Sequence, residues 1–338
     1  MSRFATGLLN SIWYSNHWLR WLLWPLSLVF RWLVWLRRWF YCHGWLKSIQ
    51  IAVPVIVIGN ISVGGTGKTP CVIWLARELT RRGYRVGVVT RGYGGRNQHW
   101  PQPVRADSSA QSLGDESVLI AQRTGCSVAA GPDRVAAAQL LLDEGPKDVI
   151  LSDDGLQHYR MARALEIAVV DGTRGLGNGL CLPAGPLREP PSRLDQVDAV
   201  IVNSGDWRRA GAYEAALTLV GACHLRSGAV EPIANFRGQN VHAVAGIGHP
   251  ERFFDALRNC GMSVDGRPLE DHAEISPGDL AFEDSNPVMI TEKDAVKCKQ
   301  HAHDRVWSVA AELAFQARDE QRLMRLVMRQ LEPEDNRS

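Results

Sequence analysis

The stretch Val53-Pro-Val-Ile-Val-Ile-Gly-Asn-Ile-Ser-Val-Gly-Gly-Thr-Gly-Lys-Thr-Pro70 decides the fold. A β-branched run, Val53–Ile58, opens into a glycine-rich loop, and a helical pattern follows. Such a run reads as a buried strand and the loop after it as a phosphate cradle. Gly64, Gly65 and Gly67 let backbone N–H groups converge on an anion, with Ser62, Val63 and Thr66 completing the loop. Lys68 is placed to bridge the β and γ phosphates, and Thr69 to offer its hydroxyl to Mg²⁺. A helix starting at Thr69-Pro70 turns its positive end to the same anion, and proline is tolerated in a first turn. One position departs from the G-x-x-x-x-G-K-[ST] pattern: Ser62 stands where its first glycine is expected.

Downstream, short β-branched runs alternate with helical stretches. Val86–Val89, Val149–Leu151, Ile167–Val170 and Ala199–Val202 read as buried strands, with Val72–Arg82, Glu116–Arg123 and Arg134–Leu142 as helices between them. This is an α/β doubly wound pattern with a mostly parallel sheet, whose ligands bind at the carboxyl ends of the strands. Near residue 240 a second set begins: Val241–Ala245, a helix at about Pro250–Cys260, then Val288–Ile290 and Val306–Val309. The expected organisation is an N-terminal segment 1–47, a P-loop domain 48–229, and a smaller α/β lobe 230–338.

The N-terminal segment differs in composition from the rest. The chain of 338 residues has a formal net charge of +2, but its first 50 residues carry six basic side chains and no acidic one. Eight of the twelve tryptophans lie within the first 45 residues, and the first acidic residue is Glu78. The remainder is mildly acidic, which argues against a nucleic-acid partner. On a helical wheel Asn16, Arg20, Ser27, Arg31 and Arg38 form one narrow polar stripe, with apolar side chains over the rest. The apolar run between Arg20 and Arg31 falls short of the roughly 20 residues a span requires. A membrane-associated helix lying in the headgroup region fits this pattern, with tryptophans at the interface and arginines reaching phosphates. A span and a helix buried against the body are the alternatives. Arg37, Arg38 and Lys47 place the body on the cytoplasmic face in either membrane reading. Seven scattered cysteines without a C-x-x-C pair exclude a disulfide scaffold and a zinc ribbon.

Ser152-Asp-Asp-Gly-Leu-Gln-His158 follows a strand, and Asp153 and Asp154 suit a Mg²⁺ beside the phosphate loop. Gln157 and His158 share that strand end. Thr291-Glu-Lys-Asp294 is the nearest match to a guanine-reading run, with Glu in the lysine position. Thr291 as a helix cap and a role in the site both remain open, and ATP is preferred over GTP.

Together with Thr90-Arg-Gly-Tyr-Gly-Gly95, Gly114-Asp-Glu116 and Leu182-Pro-Ala-Gly-Pro-Leu-Arg-Glu-Pro190, these motifs resemble the tetraacyldisaccharide 4′-kinase family of lipid A biosynthesis. They occur in family order from residue 59 to 294, and Leu156 departs from an expected aromatic residue. The resemblance implies transfer of the ATP γ-phosphate to the 4′-hydroxyl of an acylated glucosamine disaccharide 1-phosphate. It implies two α/β lobes with the site between them, on a monomer at the cytoplasmic side of the inner membrane. An Asp–His pair acts on the acceptor in similar enzymes, and it carries over to Asp115 and His272. A carboxylate within reach of the hydroxyl suits general-base work, with Lys68 and Mg²⁺ neutralising charge. Arg188 suits the acceptor phosphate, with Glu189 beside it. Arg91 and Tyr93 face the same edge, toward either nucleotide or acceptor. The competing function is a membrane-targeted P-loop ATPase acting on a protein partner.

Overall fold

The computed structural model describes residues 3–271, 273, 275–298 and 304–332, and for residues 3–6 the backbone alone. Two helices lead, α1 (Arg3–Tyr14) and α2 (Leu19–Cys42). Next, β1 (Val55–Gly59) enters the phosphate loop and α3 (Lys68–Arg81) leaves it. β2 (Val86–Thr90), β3 (Gln102–Val104), the short α4 (Ala110–Leu113) and α5 (Asp115–Thr124) come after. They are followed by β4 (Ser127–Ala130), α6 (Arg134–Asp143), β5 (Val149–Asp153), β6 (Leu165–Asp171) and β7 (Ala199–Asn203). The chain then makes the long β8 (Tyr213–His224), β9 (Val230–Pro232), β10 (Asn240–Ala245), α7 (Pro250–Asn259) and β11 (Ser263–Pro268). It ends with β12 (Val288–Thr291), α8 (Glu292–Cys298), β13 (Val306–Phe315) and α9 (Ala317–Leu331).

All thirteen strands share one sheet, in the order β11-β10-β12-β13-β8-β7-β6-β1-β5-β2-β4-β3, with β9 on β8. β1 lies between β5 and β6, parallel to both, so the phosphate loop leaves from the middle of the first half. β1, β2, β5 and β7 are buried along their whole length, as strands covered on both faces must be. One face packs α3 and α5, and the other packs α6 and the loops after β5 and β6.

The two halves join where β8 pairs antiparallel with β13, with a bulge at Ala310/Ala311. β8 runs parallel to β7, and β13 parallel to β12, so strand direction reverses at this joint. Twist of roughly 20–25° per strand turns the second half about the first. β7 pairs with the beginning of β8 and β12 with the beginning of β13, at opposite ends of this antiparallel ribbon, so the carboxyl ends of the two halves face one cleft. Arg252, in the first turn of α7 after β10, reaches Asp171 at the end of β6 at 2.7 Å. The last helix returns to the first half: Leu323, Met324 and Val327 of α9 share a core with Ile56 and Val72. Packing therefore does not follow a chain division near residue 230.

α2 is, among the described residues, the one helix long and apolar enough to cross a membrane. Part of its polar stripe meets the body. Ser27 is buried and donates to the Cys181 carbonyl at 2.6 Å, Arg38 donates to Gln196, and Phe30 packs into the core beneath. Trp21, Trp24, Trp32 and Trp35 point outward, between 42% and 63% exposed. Arg20 pairs instead with Asn16 at the surface, and Arg31 is exposed.

Candidate active site

The phosphate loop is held from three sides. Gly67 sits at φ +96°, and a Cβ there would meet the Asn203 amide nitrogen at 2.4 Å. Only glycine permits both the left-handed turn and that approach. The Asn203 amide, at the end of β7, donates to the Thr66 carbonyl at 3.0 Å. Asn60 donates to the Gly64 carbonyl at 3.2 Å, and the Val63 N–H bonds the Pro186 carbonyl at 2.8 Å. Ser62 explains itself: it pairs with Leu187 in an isolated bridge and has no left-handed backbone, so no glycine is needed there. α3 starts at Lys68, one residue ahead of the expected start, with Thr69 and Pro70 in its first turn.

At the end of β5 the two adjacent aspartates have different fates. Asp154 takes a left-handed φ of +49°, a conformation unusual outside glycine and tolerated by aspartate. Its carboxylate lies 3.6 Å from the Lys68 ammonium and 3.1 Å from the Arg188 guanidinium. Burial opposes its charge, but Lys68 and Arg188 hold its carboxyl below the ordinary value. Asp153 is wholly buried, and burial, with Glu116 nearby, pushes its carboxyl up to about 7 against the pull of Lys68. Among the described residues its Oδ1 has no hydrogen-bond partner, nor has the buried Thr66 hydroxyl. A buried carboxylate oxygen left open beside a lysine and a threonine-bearing helix start fits a hard cation that takes its remaining ligands from phosphates and water.

Across the cleft, Gly114 (φ +88°) turns the chain so that α5 begins at Asp115. Asp115 is 5% exposed, and its Oδ1 accepts the Glu116 N–H at 2.9 Å. The second half meets it through α8. Lys297 lies 3.6 Å and Lys293 4.0 Å from Asp115 Oδ2, and Lys293 bonds Glu116 at 3.0 Å. Burial opposes the Lys293 charge, yet Glu116, Asp115 and Asp271 raise its pKa above the ordinary lysine value. Glu292 pairs with Arg123, which also reaches Glu312 at 2.7 Å, and Arg77 reaches Glu312 at 2.6 Å. Thr291 caps α8, accepting the Asp294 N–H at 3.2 Å. The Thr291–Asp294 run is thus a cap that also borders the site.

The other expected residues divide. Gln157 donates to the Asn60 carbonyl at 3.0 Å and to Glu189 at 2.6 Å. Glu189 is 1% exposed, and its oxygens are taken by Gln157, Tyr159 and Arg193. It braces the loop from within and does not face an acceptor, which corrects the sequence expectation. Burial, with Arg134 nearby, lowers the His158 imidazole to about 4, so it is neutral at physiological pH. Arg91 and Tyr93 are exposed after β2, and Arg91 lies within electrostatic reach of Arg134. His272 lies outside the described residues. Asn203, Lys297, Arg134 and Arg174 were missed by sequence reasoning. Asn203 directly follows an expected strand, which is the signal that marked Asp153; the other three carry no local pattern. A cavity of about 430 Å³ lined by Asn10, Tyr14, Arg174 and His249 opens beside Gly64, where α1, the loop after β6 and the second half meet.

The family model LpxK, tetraacyldisaccharide-1-P 4′-kinase, matches residues 19–332. The chain belongs to this family. A tetraacyldisaccharide 4′-kinase of Nitrosococcus oceani is 49% identical over 312 residues, 92% of each chain. One from Alkalilimnicola ehrlichii is 52% identical over 296 residues, 85% of this chain and 86% of the relative. The crystal structure of LpxK from Aquifex aeolicus in complex with ATP is similar with a TM-score of 0.78 and 28% identity, over 93% of this chain and all of the other. The kinase family and the P-loop α/β fold expected from the motifs are thereby established.

Proposed function

We propose that the chain transfers the γ-phosphate of ATP to the 4′-hydroxyl of a tetraacylated disaccharide 1-phosphate held in a membrane. The observation that carries this reading is the convergence of two charge sets on one cleft. Lys68, Asp154 and Arg188 surround the phosphate loop. Asp115 stands at the start of α5, whose Glu116 acts electrostatically on Asp153.

The loop N–H groups and Lys68 bind the triphosphate and take up charge that builds on the β–γ bridge. The acceptor hydroxyl gives its proton to the Asp115 carboxylate as its oxygen bonds the γ-phosphorus. The bond from that phosphorus to the bridging oxygen breaks, and ADP leaves. His272 is the proposed partner of Asp115. Thr69, Asp153 and Asp154 are the residues that would hold Mg²⁺, which supplies charge neutralisation when bound. Arg188 is the proposed donor to the acceptor phosphate, and Gln157, Arg91 and Tyr93 border the same opening.

Membrane attachment rests on α2, which lies in the plane of the interface. Its contacts at Ser27, Phe30, Arg38 and Tyr41 tie it along its length to the body. Those contacts favour an interfacial position over a span, which takes roughly 20 residues free of the body. The body then sits on the cytoplasmic face with the tryptophans in the lipid.

The test is γ-labelled ATP with membrane lipid fractions and purified tetraacyldisaccharide 1-phosphate. Label must appear on the 4′-position of the glycolipid. Label released only as inorganic phosphate, in proportion to an added protein, would instead support an ATPase. Trp21, Trp32 and Trp35 changed together to serine should move most of the protein from vesicles to the supernatant in flotation while leaving activity on detergent-dispersed acceptor nearly intact.

A further inference from the structure

α8 brings more than a wall to the cleft. Asp294 is completely buried, yet it carries a full set of partners. Its Oδ2 accepts the Gly246 N–H at 3.0 Å and the Thr291 hydroxyl at 2.7 Å, and its Oδ1 faces the Lys297 ammonium at 3.1 Å. Lys297, one turn on, is only 11% exposed at its side chain. A lysine ammonium has three protons and no acceptor. Those of Lys297 face Asp294, the Ala273 carbonyl at 3.4 Å, and Asp115 at 3.6 Å. A buried ammonium persists only where such partners compensate it.

We propose that Lys297 is the positioning residue of Asp115, holding its carboxylate ionised and aimed, and that Asp294 in turn holds Lys297. The inference rests on Asp115 being the base. Among the described residues, the groups brought to Asp115 include Lys297 and Lys293 from α8 and Glu116 on its own helix, with Asp271 acting on Lys293 from the loop after β11. Lys293 is matched by Glu116 at 3.0 Å, so the charge of Lys297 is the one divided between Asp294 and Asp115. Lys297 belongs to the second half and Asp115 to the first. Proton acceptance by Asp115 is thereby tied to the halves being together: the carboxylate is set for its task only while α8 is packed on α5.

The experiment is the pH profile of kcat/KM for the full chain in detergent with ATP and tetraacyldisaccharide 1-phosphate. An opposite charge within about 4–6 Å lowers a carboxylate pKa by about 1–3 units. Lys297→Met should therefore move the acid limb up by about one pH unit, costing about tenfold on the acid side. The KM for ATP should stay within about twofold of wild type. Lys297→Arg keeps the charge and should leave the limb in place, and Asp294→Asn, which leaves the Lys297 charge undivided to Asp115, should move it the opposite way from Lys297→Met. If methionine at 297 prevents folding, Lys297→Gln carries the same expectation. A limb that stays put while activity falls equally at every pH means a structural role and overturns the inference. Asp115→Asn separates the two readings. Near-normal kcat in that variant removes the base itself. An inactive Asp115→Asn beside an unmoved limb in Lys297→Met removes only the role of Lys297.

Discussion

The two sides of the cleft hold their charges differently. Around the phosphate loop, Asp153 has a buried oxygen without a partner, Thr66 has an idle hydroxyl, and Lys68 stands 3.6 Å from its nearest carboxylate. On α8, Glu292, Lys293, Asp294 and Lys297 are each paired, to Arg123, Glu116, the Gly246 N–H and Asp115. The first side keeps polar capacity in reserve for a ligand. The second has spent it on holding the halves together. Since burying an unpaired polar group costs on the order of 1–3 kcal/mol, open groups persist only where something else compensates them.

Four substitutions test that contrast. Lys68→Met removes a charge kept for the ligand and should lower kcat by about 10³-fold or more with little change in melting temperature. A protein that melted far lower would show Lys68 to be structural. Asp115→Asn should cost about 10²–10⁴ in kcat, read by label transfer to the glycolipid, while ATP still binds. Arg123→Ala cuts a charge already paired to Glu292 and Glu312. It should destabilise the fold by about 1–3 kcal/mol in urea denaturation and lower activity only through closure. If Arg123→Ala left stability untouched, the paired side would not be holding the halves.

Asp153→Asn is the smallest and the sharpest. The raised carboxyl of Asp153 means the fold binds its proton more tightly than the unfolded chain does. Its contribution is therefore favourable below the ordinary carboxylate pKa and is lost as pH rises toward about 7. The asparagine should thus raise the melting temperature of the nucleotide-free protein at pH 8, by roughly 3–6 °C, and leave it unchanged near pH 4. A fall at pH 8 would show that Asp153 already has its compensating partner.

The same contrast explains what was legible in the sequence. Phosphate loop, Asp153-Asp154 and the central strands were readable because each is local: a buried strand, then chemistry at its end. Gly67 and Lys68 sit next to each other and to the strand that places them. The second side is legible only in part, because its pairings are distant in the chain. Nothing near Lys297 announces Asp115, and nothing near Asn203 announces Thr66. β8 and β11 also escaped notice. β8 carries only Thr218 and Val220 as β-branched residues among several small ones, and β11, Ser263-Val-Asp-Gly-Arg-Pro268, is a largely exposed edge. Glu189 was placed at the acceptor with Arg188, its neighbour in the chain, whereas Arg193, four residues on, draws it inside. The stripe on α2 was legible as a stripe, but periodicity does not show that Ser27 and Arg38 within it lie against the body.

The return of α9 has a consequence for synthesis. Leu323, Met324 and Val327, near the very end of the chain, fill the core that surrounds Ile56 and Val72 near its beginning. While the chain emerges at about 5–20 residues per second, the phosphate-loop half stays open along that face until translation is almost over. α1 and α2 leave the ribosome first. That segment is therefore exposed before the phosphate-loop half can close. A chain stopped at residue 316 should remain protease-sensitive in its phosphate-loop half.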